Sequence, residues 1–215
     1  MTVTELIAAV FLRLEESQSN PAFWEEDDIR DSLADAWEDM AIATRWYRTA
    51  VMIPLQDEIT YYDLRDHSVD EFITVERIHN ETLNRFLEPV SLRELVQRYN
   101  RWETSQNAQH EWFMRGNFAL GVFGQPSIGD DSDFITIEGR AIPHSLPADN
   151  ATLPLTDEWC ELVIDYILYD LKVQEGEVEL GLELWQRYLR GVETMLGWTF
   201  DQINHGAQRV LGERQ

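Results

Sequence analysis

The clearest pattern in the chain is a pair of apolar stripes between Leu155 and Ile203. Within each stripe the apolar residues recur every three or four positions, as on one face of an α-helix. Thr156 is a residue type that caps helices, and Asp157 and Glu158 suit the positive end of a helix dipole. A break at Glu175–Gly176 separates the stripes, so we predict two long helices packed antiparallel. The first stripe is Trp159, Val163, Tyr166, Ile167 and Leu171, and the second is Val178, Leu182, Trp185, Tyr188, Leu189, Val192, Met195 and Leu196.

The N-terminal quarter has the same helical period. Thr2 and Glu5 form a capping-box pattern ahead of a short apolar face, and a polar break from Ser17 to Pro21 follows it. An acidic turn, Glu25 to Asp28, then begins a second helix, which we expect to end before Pro54 because proline cannot continue the hydrogen-bond ladder. Its stripe is Ile29, Leu33, Trp37, Met40, Thr44, Tyr47 and Val51.

Between these helical parts the pattern changes to short β-branched and aromatic runs separated by turn residues, which indicates strands. One helix interrupts the strands, where Ser91 and Glu94 form another capping-box pattern. Pro143, Pro147 and Pro154 then mark the return to the helical part. The predicted strands are Glu58–Leu64, Phe72–Ile78, Glu111–Met114, Ala119–Phe123 and Phe134–Ile137.

These patterns predict an α+β fold, an antiparallel helical bundle of about four helices with a small inserted β-rich domain and an extended C-terminal arm. The helices at the two ends of the chain are expected to cover each other's apolar stripes. The expected parts are N-terminal bundle helices (1–54), the inserted β-rich domain (55–150), the C-terminal helical hairpin (151–203) and the arm (204–215).

The charge narrows the range of functions. The chain has 17 basic and 40 acidic residues among 215, a net charge of −23. Nucleic acids and anionic membranes are bound through Lys and Arg, so neither is an expected partner. Residues 204–215 carry two Arg and one Glu, so the arm is +1 and residues 1–203 are −24. We interpret the arm either as a frayed end or as a segment that binds an acidic neighbour. The N-terminal segment has no basic n-region, so we do not expect it to be a signal peptide, and no stretch is long and apolar enough to span a bilayer.

Catalytic and metal-binding motifs are incomplete. His110-Glu111 begins like the zinc motif HExxH, but Met114 stands where the second histidine belongs. Asp130-Asp131-Ser132-Asp133 resembles the start of a calcium loop without its glycine and closing glutamate, and is read as a turn. Cys160 is expected to be a buried, inert thiol, and Trp185 and Tyr188 to be core residues. We therefore expect no enzyme activity, cofactor or metal.

The order of the elements resembles a known family. The chain resembles the head-to-tail adaptor (connector) proteins of tailed bacteriophages, chiefly the short-tailed ones. The resemblance covers roughly residues 4–200 and depends on the order and spacing of several motifs rather than on any single one. One departure is Arg65, where the family often has proline after the Tyr-x-Leu strand. The motifs are Phe23 to Ile29, Tyr61-Tyr62-Asp63-Leu64, Phe72 to Ile78, Gly124-Gln125-Pro126, Ile135-Thr136-Ile137, Leu155 to Trp159, Tyr166 to Lys172, and Trp185 with Tyr188.

The resemblance implies a structural virion protein that is assembled in the host cytoplasm. Such adaptors form a ring of about twelve copies between the portal and the tail nozzle or tube. The ring extends the channel through which genomic DNA passes without specific binding, and no membrane is involved. The C-terminal segment commonly grips the portal, which makes Arg209, Val210, Leu211 and Arg214 the candidate portal-binding residues here.

Two other functions are compatible with parts of the sequence. An acidic DNA mimic that inhibits a nucleic-acid-binding protein would account for the charge, although it leaves the Trp-rich hairpin and the β insertion unexplained. A wall-degrading tail enzyme would share the virion setting, but the sequence nominates no pair of catalytic carboxylates.

Overall fold

The computed structural model describes residues 1–19, 21–56, 59–99, 102, 110–124 and 133–212, with backbone alone from 198 to 212. The chain divides into two compact units, which we call the helical unit (Met1–Trp46 and His144–Gln215) and the sheet unit (Tyr47–Pro143). The helices are α1 (Val3–Arg13), α2 (Glu26–Thr44), α3 (Leu92–Arg98), α4 (Asp157–Glu175) and α5 (Val178–Gly212). The strands are β1 (Arg48–Pro54), β2 (Tyr61–Asp63), β3 (Glu71–Asn80), β4 (Arg85–Pro89), β5 (Glu111–Arg115), β6 (Ala119–Phe123) and β7 (Phe134–Ile142).

The helical unit contains α1, α2, α4 and α5 packed round one apolar core. The capping box predicted at Thr2 and Glu5 is confirmed: the Thr2 hydroxyl accepts from the Glu5 amide at 3.2 Å, and the Thr2 amide donates to the Glu5 carboxylate at 2.8 Å. Each large apolar side chain that the core buries contributes roughly 1.5–3 kcal/mol. The most deeply buried include Leu6, Ile7, Leu33, Trp37, Met40, Ile164, Ile167 and Met195.

Helix α2 ends earlier than the sequence pattern predicts. The helix stops at Thr44 because Arg45 adopts a left-handed conformation with φ 53°. The expected continuation to Val51 is therefore wrong. Residues from Arg48 form strand β1, whose Val51 and Ile53 pair with Ile137 and Ile135 of β7.

The sheet unit is built on seven strands in the order β1-β7-β3-β4-β5-β6-β2. Neighbouring strands are antiparallel except β4 and β5, which run parallel. The capping box predicted at Ser91 and Glu94 is confirmed at the start of α3, and Leu95 of α3 packs with Trp102, Phe113 and Phe123. The main core of the sheet includes Ile53, Phe72, Ile78, Leu120, Ile135 and Ile137.

The expected fold class is wrong in two respects, the size of the sheet and the form of the C-terminal segment. The strand-bearing part is a seven-stranded sheet rather than a small β-rich insertion, since β1 and β4 were not expected from the sequence. The described residues form five α-helices, four in the helical unit and α3 in the sheet unit. There is no extended arm over 204–212, where the backbone continues α5 through Gly206 to Gly212. A glycine in a helix costs only about 1 kcal/mol, so Gly206 does not by itself end one.

Candidate partner-binding surface

The hairpin of α4 and α5 has a fixed register. Gly176 closes α4 at φ 91°, a conformation that side chains disfavour. A Cβ added at Gly191 would lie 2.1 Å from Leu162 Cδ2, so this glycine lets α5 approach α4 closely. Gly181 likewise faces Val173. Extending this pairing places the start of α4 level with about residue 196, so roughly 24 Å of α5 continues beyond it at 1.5 Å per residue.

An aromatic cluster lies on one side of this hairpin. Trp185 is the shared member, with ring centroids 4.9 Å from Tyr169, 5.3 Å from Tyr188 and 6.0 Å from Tyr166. Tyr188 is buried, whereas the other three rings are only partly covered. The sequence-based expectation that Trp185 and Tyr188 are both core residues is thus confirmed for Tyr188, while Trp185 is half-buried.

Carboxylates of α2 border the aromatic cluster. The Tyr188 hydroxyl donates to Asp39 Oδ2 at 2.6 Å. Burial, followed by the hydrogen bond to Asp39 and then by the charge of Asp39, raises the pKa of Tyr188 far above its ordinary value. The pKa of Tyr166 rises to about 12, first because of burial and then because Asp39, Asp35 and Asp170 are near. Ionising either hydroxyl would place a further negative charge among these carboxylates.

Asp35 and Asp39 belong to what we call the α2 aspartate row, Asp27, Asp31, Asp35 and Asp39. These residues follow each other at four-residue spacing, so each carboxylate neighbours the next along the helix surface. Among the described residues no Lys or Arg forms an ion pair with any of them. Like charges at this spacing destabilise a helix by about 0.2–0.5 kcal/mol per pair. The repulsion along the row is therefore a cost to α2, which the helix dipole at Asp27 and the hydrogen bond from Tyr188 to Asp39 offset only in part.

The other side of the hairpin carries a compensated carboxylate. Asp165 is 3% exposed and accepts hydrogen bonds from the Arg187 guanidinium, while Arg13 Nη1 lies 3.8 Å from Asp165 Oδ1. These contacts raise the pKa of Arg187, chiefly through the hydrogen bond to Asp165. Asp165 therefore serves the fold, in contrast to the α2 aspartate row.

Only part of the apolar stripe of α5 is buried in the core of the helical unit. Tyr188, Val192 and Met195 are buried, as the stripe predicts. Val178 and Leu182, however, are each 50% exposed, and Leu189 is 42% exposed. A band of apolar surface thus remains on α5 beside the aromatic cluster.

The residues proposed from sequence for the C-terminal arm are only partly described. Arg209, Val210 and Leu211 lie in the last turns of α5, where the structure describes the backbone alone. Arg214 lies outside the described residues. The four side chains therefore lie outside the described part of the structure.

The candidate catalytic patterns have structural explanations where they are described. Glu111 is buried in β5 and accepts from Arg98 Nη1 at 2.8 Å. Cys160 is buried, and burial raises the pKa of its thiol, which disfavours the nucleophilic thiolate. Asp130, Asp131 and Ser132 lie outside the described residues. Within the described part of the chain, no three His, Cys, Asp or Glu side chains are grouped to hold a metal ion.

Net charge is distributed unequally between the two units. The helical unit has eight basic and 24 acidic residues, a net −16, and the sheet unit has nine basic and 16 acidic residues, a net −7. None of the described helices is long and apolar enough to cross a bilayer. The features available for partners are therefore an acidic helical surface and the apolar band on α5.

Comparison with protein families matches residues 1–209 to the family described as SU10 adaptor protein. The chain belongs to the SU10 adaptor protein family. This is a phage head-to-tail adaptor family, and the resemblance recognised from the sequence motifs is confirmed. No curated protein sequence matches this adaptor.

Membership of this family indicates the general function of the protein. It is a viral adaptor of the virion that associates with other head or tail proteins. Sequence reasoning did not single out the α2 aspartate row, although the spacing 27, 31, 35, 39 is visible in the sequence. The exposed part of the α5 stripe had no comparable signal, because exposure depends on which neighbours cover the helix.

Proposed function

We propose that this adaptor is a structural protein that forms a ring of about twelve copies joining the portal to the tail. The ring extends the DNA channel, and copies join it in the host cytoplasm. The observation that carries the proposal is the uncompensated acidity of the helical unit in a chain of a head-to-tail adaptor family.

The acidity suits a channel through which DNA slides. Lys and Arg on a channel wall would bind phosphates and release counterions, and so retain the DNA. A ring of protomers at −23 each presents a repulsive field instead. We expect the purified adaptor to leave double-stranded DNA unshifted in a native gel at physiological salt. A salt-sensitive complex with DNA would contradict a channel without specific binding.

Charge also governs assembly. Self-repulsion between acidic protomers opposes ring closure, and salt screens it over about 8 Å at physiological ionic strength. We expect a monomer in low salt and a ring on the portal. Electron microscopy of portal particles mixed with the adaptor should show an added collar of density. Bare portal particles at saturating adaptor, or a stable free ring at low ionic strength, would contradict this account.

Residues 204–215 are proposed to attach the ring to the portal through Arg209, Val210, Leu211 and Arg214. The backbone of α5 continues past the start of α4, which gives this segment reach, and its sequence is +1 beside a body of −24. Deleting residues 204–215 should abolish the collar in electron micrographs. The matched control is Arg190→Gln, an exposed α5 arginine outside the segment, which should keep the collar. An unimpaired collar after the deletion would rule out this attachment.

A further inference from the structure

The exposed band of α5 follows a heptad pattern. Six apolar residues alternate at four- and three-residue spacing, the repeat by which one helix packs along another. We call them the α5 seam: Val178, Leu182, Trp185, Leu189, Val192 and Leu196. Val192 is 9% exposed, Trp185 and Leu196 are partly exposed, and the other three are 42–50% exposed. Beyond Leu196 only every seventh residue continues the pattern in sequence, at Ile203 and Val210.

Carboxylates border the seam on both sides. On one side, the seam residue Trp185 stacks on Tyr188, with ring centroids 5.3 Å apart. The Tyr188 hydroxyl in turn contacts Asp39 of the α2 aspartate row. On the other side Glu179 and Glu193 each follow a seam residue, about 100° further round the helix, and both are exposed. Arg190 is the one basic residue near this second border among the described residues, and the oxygen it contacts is the Gln186 carbonyl, at 3.2 Å. The seam is therefore an apolar strip between two mainly acidic borders.

These borders favour a partner with the opposite charge. A second copy whose seam packed against this one would bring acidic borders together. Other faces of a second copy also have few cations to offer, because nine basic side chains of the described residues already form ion pairs with carboxylates of the same chain. They are Arg13, Arg30, Arg48, Arg65, Arg77, Arg98, Arg140, Lys172 and Arg187.

We propose that the α5 seam is the docking site for an amphipathic helix of another protein that carries Lys or Arg on both sides of its apolar stripe. Its apolar residues pack between Leu182 and Leu189, and its cations lie against the aspartate row and the glutamates. The partly exposed ring of Trp185 offers a cation–π contact next to Tyr188, the residue that contacts Asp39. The inference depends neither on ring formation nor on portal attachment through residues 204–215.

The test is titration calorimetry with two synthetic helical peptides at physiological ionic strength. Both peptides have Leu at the a and d positions of a heptad repeat, one with Lys and the other with Glu at the flanking e and g positions. We expect the Lys peptide to bind the full-length adaptor and the Glu peptide not to bind. No binding of the Lys peptide would overturn the proposal.

Variants separate docking from general attraction between opposite charges. Leu182→Ser with Leu189→Ser should weaken the Lys peptide at least tenfold, and Asp31→Asn with Asp35→Asn should weaken it several-fold. Both pairs are exposed, so circular dichroism should show an unchanged fold. Val69→Ser is the matched control, since Val69 is 77% exposed in the sheet unit, and it should leave binding unchanged. Equal binding by all variants would reduce the interaction to net charge and overturn the proposal.

The alternative occupant is a second copy. Sedimentation velocity without peptide should show the same species for the wild type and for the Leu182→Ser, Leu189→Ser variant. If the wild type instead self-associates and this variant is monomeric, the seam is a contact between copies and the proposal fails.

Discussion

The two units of the adaptor differ in how they treat their charged side chains. In the sheet unit, carboxylates are paired across strands: Arg77 of β3 contacts Glu138 of β7 at 2.6 Å, and Arg140 of β7 contacts Glu76 of β3 at 2.7 Å. In the helical unit, the α2 aspartate row has no such partners among the described residues, and its members repel one another. Charge therefore supports the fold across the strands of the sheet unit and at Asp165 of the helical unit, whereas the α2 aspartate row leaves carboxylates available for a partner or for DNA.

The largest expected effect comes from breaking a paired charge in the sheet unit. Arg140→Ala should lower the free energy of unfolding by about 2 kcal/mol, because Glu76 would lose the buried guanidinium group with which it forms an ion pair. Arg140 is only 7% exposed, which limits replacement of the contact by water. Urea denaturation followed by circular dichroism measures the change. Arg77→Ala is the control, because its more exposed pair should cost only about 0.5 kcal/mol. If both variants lost the same free energy of unfolding, burial could not be the reason that the Arg140 ion pair contributes more.

A smaller loss is expected where the aspartate row contacts the helical core. Tyr188→Phe removes the hydroxyl that donates to Asp39, and should lower the free energy of unfolding by about 1.5 kcal/mol. Tyr99→Phe is the control in the sheet unit, since no hydrogen bond of its hydroxyl is found among the described residues; it should change stability little. If Tyr188→Phe left the free energy of unfolding unchanged, the hydrogen bond to Asp39 would contribute nothing to the stability of the helical unit.

The same carboxylates predict a modest loss of stability at alkaline pH. The pKa of Tyr166 is raised from 10.0 to about 12 by burial and then by Asp39 and Asp35. A raised pKa means that the folded state holds the proton more tightly, so this contribution is complete below pH 10 and is lost as the pH rises towards 12. Thermal unfolding of the wild type and of Tyr166→Phe at pH 9 and pH 11 tests this. The melting temperature of the variant should fall less between the two pH values than that of the wild type. An equal loss would contradict the assignment.

Local signals in the sequence predicted parts of this structure well. The capping boxes at Thr2 and Ser91 are present because both depend on contacts within four residues. Strand β1 was missed because Val51 also fits the α2 period, and only pairing with β7 decides between helix and strand. Strand β4 is short and ends at Pro89, so it lacked an alternating pattern.

The candidate surface was less accessible to sequence reasoning. The stripe of α5 correctly predicts a helix, but its exposed part at Val178, Leu182 and Leu189 depends on how far the other helices extend over it. The continuation of α5 past Gly206 was also missed, because a helix tolerates one glycine when its other residues favour the helix.

The most direct test of the central claim is the Asp31→Asn, Asp35→Asn variant, measured for stability and for binding together. The two substitutions remove three like-charge pairs at four-residue spacing, which should raise the free energy of unfolding by about 1 kcal/mol. The same change should weaken binding of the Lys-flanked peptide several-fold. A less stable variant that binds the peptide as the wild type does would show that the aspartate row serves the fold, and would contradict the account.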